Sequence, residues 1–222
     1  MIDANNRLVI FGGTFDPIHN GHVQLSTYLA KSLNSPITFM PNNIPPYKSP
    51  PVATNKQRLD MLNLVISQNK LFKLDTRELY SNTYNYTYQT LQNIRHEYGN
   101  NIPIFFVMGE DSMVTFDTWE NYYQILEMTN LIIINRVGYN LTQLHNKKLM
   151  NYINHHTITD LKDLNSKSGN IYRLDYTPDG ISSTYLRKLL QTNTEHDLIK
   201  SMLPKEIYDY IINNHIYQTP TR

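Results

Sequence analysis

The chain of 222 residues contains no cysteine. Disulfides, thiolate zinc sites, iron–sulfur clusters and cysteine nucleophiles are thereby excluded. Charge is sparse as well: 18% of residues are charged and the formal net charge is +1. No block of like charges occurs, so the strongly basic face of a broad nucleic-acid footprint is missing and no nucleic-acid partner is expected. Small phosphorylated ligands need only a few local cations and remain compatible. Long apolar runs are missing too. The N-terminal stretch holds only the four residues Leu8–Phe11 before its first glycines, too short for a signal-peptide core. No later segment reaches the length of a membrane span. A soluble, cytoplasmic protein with no membrane partner is the expectation, and a homo-oligomer is compatible with it.

What is present is the composition of a globular protein: hydrophobic residues make up 40%, which excludes disorder and fibrous classes. The length suffices for a substantial core. Leu8–Phe11 reads as a buried strand closed by Gly12-Gly13. Val23, Leu25, Leu29 and Leu33 then keep helical spacing. Further strands are expected at Pro36–Met40, Leu71–Leu74, Ile102–Met108, Leu131–Asn135 and Ile171–Leu174. Helices are expected at Asn55–Ser67, where Leu59, Leu62 and Val65 or Ile66 share a face, at Thr87–Tyr98, and at Ser183–Gln191 and Lys205–Asn213. Strands alternating with helices imply crossover connections and a parallel sheet covered on both faces. The Pro-rich stretch Pro45–Pro51 reads as a loop. No repeat or linker divides the chain, so residues 1–222 are read as one doubly wound α/β domain.

In open parallel sheets ligands bind beyond the carboxyl ends of the strands. The first strand ends in Gly12-Gly13-Thr14-Phe15-Asp16-Pro17-Ile18-His19-Asn20-Gly21-His22. Glycines let the backbone approach a ligand, and the following helix offers N–H groups and a positive dipole end to phosphate. With Gly21 opening the helix, His22 sits in the first turn and His19 precedes it, so both imidazoles can face one anion. A zinc pair is a poor reading, since no third ligand lies nearby. The second constellation is Gly180-Ile181-Ser182-Ser183-Thr184-Tyr185-Leu186-Arg187. Ser182 is a plausible N-cap that leaves the N–H groups of Ser183 and Thr184 to phosphate, with Arg187 about one turn on.

The first segment resembles the TFDPxHxGH signature of the nucleotidyltransferase superfamily, in which the spaced histidines stabilise a triphosphate during adenylyl transfer. The second resembles that superfamily's ISxTxxR and matches it without substitution. Between them lie Pro41-Asn42-Asn43-Ile44-Pro45-Pro46-Tyr47-Lys48, Tyr86-Thr87, Gly109-Glu110-Asp111-Ser112, Thr115-Phe116-Asp117-Thr118-Trp119 and Arg136-Val137-Gly138. Each is similar to its counterpart in bacterial nicotinate-nucleotide adenylyltransferases. Two positions depart from that pattern: Tyr47 stands where histidine is usual and Val137 where proline is usual.

The resemblance implies a Rossmann-like nucleotidyltransferase fold. It also implies adenylyl transfer from ATP to nicotinate mononucleotide, giving deamido-NAD and pyrophosphate. His19, His22 and Arg187 become the catalytic residues. Gly12, Gly13, Thr14, Phe15, Asp111, Ile181, Ser182, Ser183 and Thr184 would bind ATP. Asn42, Lys48, Tyr86, Thr87, Trp119, Glu120 and Arg136 would bind the mononucleotide. Trp119 offers a stacking face to the pyridine ring. The N–H groups of Trp119 and Glu120, taken as a helix start capped by Asp117-Thr118, would hold the nicotinate carboxylate. Mg²⁺ is expected as cofactor, held mainly by ATP oxygens and water and not by a protein site. Two alternatives stand beside this reading. A phosphopantetheine or nicotinamide-mononucleotide transferase would share both phosphate signatures but need not keep Tyr86-Thr87 with Asp117-Thr118-Trp119. A non-catalytic nucleotide sensor would need none of the intact His19, His22 and Arg187.

Overall fold

The computed structural model describes residues 7–43, 50–80, 86–135, 146–161, 167–176, 181–192 and 194–218. Strands β1 (Leu8–Gly13), β2 (Ile37–Pro41), β3 (Phe72–Leu74), β4 (Ile104–Gly109), β5 (Asn130–Ile134), β6 (Thr157–Ile158) and β7 (Ile171–Leu174) form one sheet in the order β3-β2-β1-β4-β5-β7-β6. Every pairing in it is parallel. Helices α1 (Asn20–Ser32), α2 (Asn55–Ser67), α7 (Ser183–Thr192), α8 (His196–Met202) and α9 (Lys205–Asn213) send side chains to one face. Helices α3 (Thr87–Tyr98), α5 (Tyr122–Met128) and α6 (Lys147–His156) cover the other, with the short α4 (Glu110–Met113).

The two faces follow from the period-2 geometry of a strand. In β1, Val9 and Phe11 enter one core while Leu8 and Ile10 enter the other. In β5, Ile132 and Ile134 divide from Leu131 and Ile133 in the same way. A strand buried on both sides must be apolar at successive positions, which is why these runs read as continuous. The chain winds outward from β1 through β2 to β3, then returns to place β4 on β1's other side. The order of winding therefore reverses between β1 and β4, and the crevice at their carboxyl ends is the position where such a fold binds a ligand.

Local chemistry explains several boundaries. Thr54 caps α2: its Oγ1 accepts the Gln57 N–H at 3.2 Å, and the Gln57 side chain accepts the Thr54 N–H at 2.9 Å. Helix α3 stops at Gly99, whose φ of +83° lets its N–H return to the Arg95 carbonyl at 2.8 Å. Strand β4 begins at Ile104 and not at Ile102, because Pro103 has no N–H for the ladder. Strand β5 begins one residue early, at the fully buried Asn130, whose amide donates to the Ile104 carbonyl at 3.2 Å and accepts the Asn170 N–H at 3.1 Å.

Other expectations are corrected. The buried face of α2 is Arg58, Met61, Leu62 and Val65, with Leu59 only half-buried. Among the described residues three helices and not two follow β7, because α8 buries a single residue, Ile199, and leaves no periodic stripe to read.

Candidate functional site

The expected helix start at Gly21 falls one residue late: α1 begins at Asn20, with the extended His19 as its N-cap and His22 at the third helical position. The His19 N–H donates to His22 Nδ1 at 3.3 Å, and the two rings stack with centroids 3.7 Å apart and 23° between planes. An Nδ1 that accepts a hydrogen bond carries no proton, so neutral His22 holds its proton on Nε2, at the opposite corner of the ring. Phe15 and Phe11 press their edges on the same ring, with centroids 5.3 and 5.8 Å away. The two histidines differ in access. His22 is half-buried, whereas His19 is 3% exposed.

Gly12 and Gly13 have an internal reason to be glycine. A Cβ on Gly12 would lie 2.7 Å from the Phe106 ring, and one on Gly13 would lie 2.9 Å from the Phe15 ring. Phe15 itself takes a left-handed φ of +51°, which turns its 2%-exposed side chain back under the loop. The Asn42 N–H donates to the Gly13 carbonyl at 3.1 Å, placing the end of β2 beside the loop.

The second motif docks on the first. Ser182 Oγ accepts the Tyr185 N–H at 3.1 Å, the cap expected for α7. Ser183 Oγ donates to the Pro17 carbonyl at 2.9 Å. Arg187 Nη1 donates to the Asp16 carbonyl at 2.7 Å and stands 3.6 Å from the Asp16 carboxylate. Its Nη2 lies 3.4 Å from Thr184 Oγ1. Ile181 packs at the edge of the core beneath. The N-termini of α1 and α7 and one guanidinium thus meet at the end of β1.

Sequence reasoning left Asp16 without a role, yet it is the hub of this corner. Its buried carboxylate accepts the N–H groups of Val52 and Ala53 at 2.8 and 3.0 Å and the Tyr217 hydroxyl at 2.7 Å. Arg58, fully buried, braces the loop from α2 by donating to the Thr14 carbonyl at 2.7 Å and to Asn55 Oδ1 at 2.7 Å. Burial lowers its pKa, while Asp16 and Tyr217 oppose that shift. An arginine in register with Met61, Leu62 and Val65 is a signal the sequence carried, since a cation on an apolar stripe needs buried acceptors.

The far side of the crevice is assembled from β4, α3 and the segment before α5. Glu110, 3% exposed, follows β4 and meets Arg173 of β7 at 3.3 Å, and Asp111 beside it is half-buried. Tyr86 is the N-cap of α3 and Thr87 its first residue, as expected.

Trp119 is half-buried against Phe116, but the helix start expected there is corrected. Residues Phe116–Thr118 form a 3₁₀ turn that ends at Trp119, and the Trp119 N–H donates to the Phe116 carbonyl at 3.1 Å. Asp117 accepts instead from Asn146, the N-cap of α6, and Thr118 Oγ1 donates to the Thr115 carbonyl at 2.7 Å. Glu120, half-buried, follows in the turn before α5. Lys48, Tyr47, Gly180 and Arg136 lie outside the described residues.

One carboxyl close to α3 has an altered affinity for protons. Glu78 accepts from Thr90 Oγ1 at 2.6 Å, and burial pushes its pKa from 4.5 up to about 7. The folded protein then keeps a proton that the unfolded chain releases above pH 4.5, so this group's contribution to stability declines as pH rises from about 4.5 to about 7 and is constant beyond. Replacing Glu78 by Gln should remove that decline and stabilise the protein at pH 8 by about 3 kcal/mol, with no gain at pH 4. Denaturant melts at the two pH values check it, and equal shifts at both would sink the assignment.

The profile of the cytidylyltransferase-like family matches residues 10–189. A probable nicotinate-nucleotide adenylyltransferase of Klebsiella pneumoniae is 40% identical over 219 residues, covering 98% of this chain and 100% of that protein. The nicotinate-nucleotide adenylyltransferase of Salmonella typhimurium is 39% identical over 212 residues, 94% of this chain and 97% of that one. In structure, the chain is similar to Plasmodium falciparum nicotinic acid mononucleotide adenylyltransferase complexed with NaAD. The TM-score is 0.71 at 21% identity, over 95% of this chain and 97% of that one. At that identity the likeness speaks to the fold alone.

Proposed function

The chain belongs to the cytidylyltransferase-like family, beside the nicotinate-nucleotide adenylyltransferases, and we propose that it joins the AMP moiety of ATP to nicotinate mononucleotide in NAD biosynthesis. The observation that carries this reading is the docking of Ser183 and Arg187 on Pro17 and Asp16. It unites two anion-binding helix ends at the switch point of the sheet. In this reading the mononucleotide phosphate attacks the α-phosphorus of ATP in line. A new P–O bond forms as the bond to the β-phosphate oxygen breaks, and pyrophosphate leaves with the electron pair. The attacking oxygen is already an anion, so no protein nucleophile is needed and catalysis reduces to positioning and charge stabilisation.

The residues divide that work. His22 Nε2–H serves the α-phosphate. Arg187 and the amides of Ser182–Thr184 serve the departing pyrophosphate, and the amides of Gly13–Phe15 the nucleotide phosphates. His19 is assigned to the β/γ region, which requires its buried ring to swing out from under His22. Asp111 is assigned to a ribose hydroxyl or to a water behind it. Among the described residues no three His, Asp or Glu side chains gather to hold a metal, and Asp16 already accepts two N–H groups and one hydroxyl. Imidazoles and a guanidinium suit anions, which fits Mg²⁺ arriving on the triphosphate with its waters. When bound, it would neutralise phosphate charge.

On the other side Trp119 is assigned to the pyridine ring and Asn42 to the mononucleotide, and the resemblance adds Lys48 and Arg136 to the residues that bind it. With the Trp119 N–H engaged, the donors assigned to the nicotinate carboxylate are those of Glu120 and of Tyr86-Thr87, with Thr87 in the first turn of α3 where helical N–H groups lack intrahelical partners. Such donors favour the carboxylate of nicotinate over the neutral amide of nicotinamide, whose NH₂ would leave one of them unmatched. Pyrophosphate release with ATP and each mononucleotide should show at least a roughly tenfold preference in kcat/KM for the nicotinate form, or about 1.4 kcal/mol. Equal values would point to a dual-specificity transferase, and no release with either would end the proposal.

A further inference from the structure

The turn that follows α9 is folded into this corner in an unusual way. After α9 the backbone reverses through two non-glycine residues in the left-handed region, His215 at φ +51° and Tyr217 at +69°. The Ile216 N–H returns to the Ile211 carbonyl at 3.0 Å, and the reversal drives Ile216 and Tyr217 into the core at 4% and 5% exposure. Left-handed backbone is unfavourable for such residues and persists only where the surroundings hold it. Burying the ring alone would not require a hydroxyl. This hydroxyl meets Asp16 Oδ1 at 2.7 Å, the same oxygen that takes the Ala53 N–H.

The contact bears on Arg187. The Asp16 carboxylate is served by three neutral donors: the Val52 N–H, the Ala53 N–H and the Tyr217 O–H. Arg187 faces the other oxygen: it stands 3.6 Å from Oδ2, which takes the Val52 N–H, spends its short bond on the Asp16 carbonyl, and keeps 24% of its side chain exposed. The two oxygens share one charge, so loss of the donor at Oδ1 would leave more of it on Oδ2 and draw the guanidinium into a tighter pair there, and a tightly paired arginine has less to offer an incoming anion. Burial and the neighbouring carboxylate raise the Tyr217 pKa well above its ordinary value, so the hydroxyl keeps its proton and acts as a constant donor.

We propose that Tyr217 is a positioning residue of the transferase site, whose hydroxyl occupies Asp16 Oδ1 and so leaves Arg187 available to the pyrophosphate end of ATP. The proposal rests on the function assigned above to Arg187. It adds to that function a dependence of phosphate binding on the C-terminal turn.

Tyr217→Phe tests it, since the ring stays and only the hydroxyl goes. The variant should melt within a few degrees of wild type and lose about tenfold in kcat/KM for ATP, the scale of one hydrogen bond to a charged group. The KM for the mononucleotide should change less than about twofold. Binding of inorganic pyrophosphate, followed by calorimetry, should weaken by a similar tenfold. In an Arg187→Ala background the same change should add less than about twofold, because the two residues act on one route. Unchanged pyrophosphate affinity, equal losses for both substrates, full additivity with Arg187→Ala, or a variant that does not fold would each overturn the proposal. The pyrophosphate measurement stands apart from the acceptor assay. A wild-type protein that binds pyrophosphate through Tyr217 yet rejects nicotinate mononucleotide would refute the assigned substrate and leave the positioning role intact.

Discussion

His22→Ala should turn over about two to three decades more slowly than wild type, a loss of about 3–4 kcal/mol of transition-state stabilisation. Because His22 Nδ1 accepts the His19 N–H at 3.3 Å, the Nε2 corner is the donor, and stacking on His19 with the Phe11 and Phe15 edges holds the ring in one orientation. A donor fixed before the reaction needs no reorganisation as charge develops on the α-phosphate. Stability should suffer far less. The variant loses one acceptor for a main-chain N–H and part of an aromatic cluster, about 1 kcal/mol, or a melting shift of about 2–4 °C in a chain of this size. Single-turnover rates alongside thermal melts separate the two effects. A variant with near-normal rate would remove His22 from the chemistry.

The largest loss of stability should come from Asp16→Ala. The substitution strips the partner from two N–H groups and one hydroxyl at a site 3% exposed, and removes the negative charge that supports Arg187 and the buried Arg58. Taking away one member of a buried ionic cluster leaves uncompensated charge, which costs about 3–5 kcal/mol. The expected melting point is about 10 °C or more below wild type. Asp16→Asn should fall between, since it retains an acceptor oxygen and loses only the charge. A melting point for Asp16→Ala within 2–3 °C of wild type, on the order of 1 kcal/mol, would show that the hub carries no such load.

Legibility in the sequence follows the distance over which each interaction acts. The bounds expected for α2, α3, α9 and β7 are those observed. The Thr54–Gln57 capping pair and the turn at Gly99 are complete within a few residues of the helix ends they define. Helices α5, α6 and α8 went unread because they bury only Ile125 with Leu126, Leu149 with Ile153, and Ile199. One or two apolar positions make no periodic signal. The helix start read at Trp119 failed for a related reason. Asp117-Thr118 looks like a cap locally, but Asp117 pairs with Asn146, 29 residues on, and the segment closes as a 3₁₀ turn.

The sequence by itself determined the chemistry available to this protein. Two histidines three apart at a strand–helix corner, a Ser-capped helix with arginine one turn in, a lone tryptophan and the absence of cysteine follow from residue identity and spacing. Tertiary structure decided which of these groups meet and how they are held. It placed β4 beside β1 so that their ends open on one crevice, set Arg187 against Asp16 across 171 residues, and brought Tyr217 to the same carboxylate across 201. Such contacts leave no periodicity or local motif. Their geometry is set by two cores packing on opposite faces of one sheet, and a buried carboxylate takes as partners whichever donors that packing delivers.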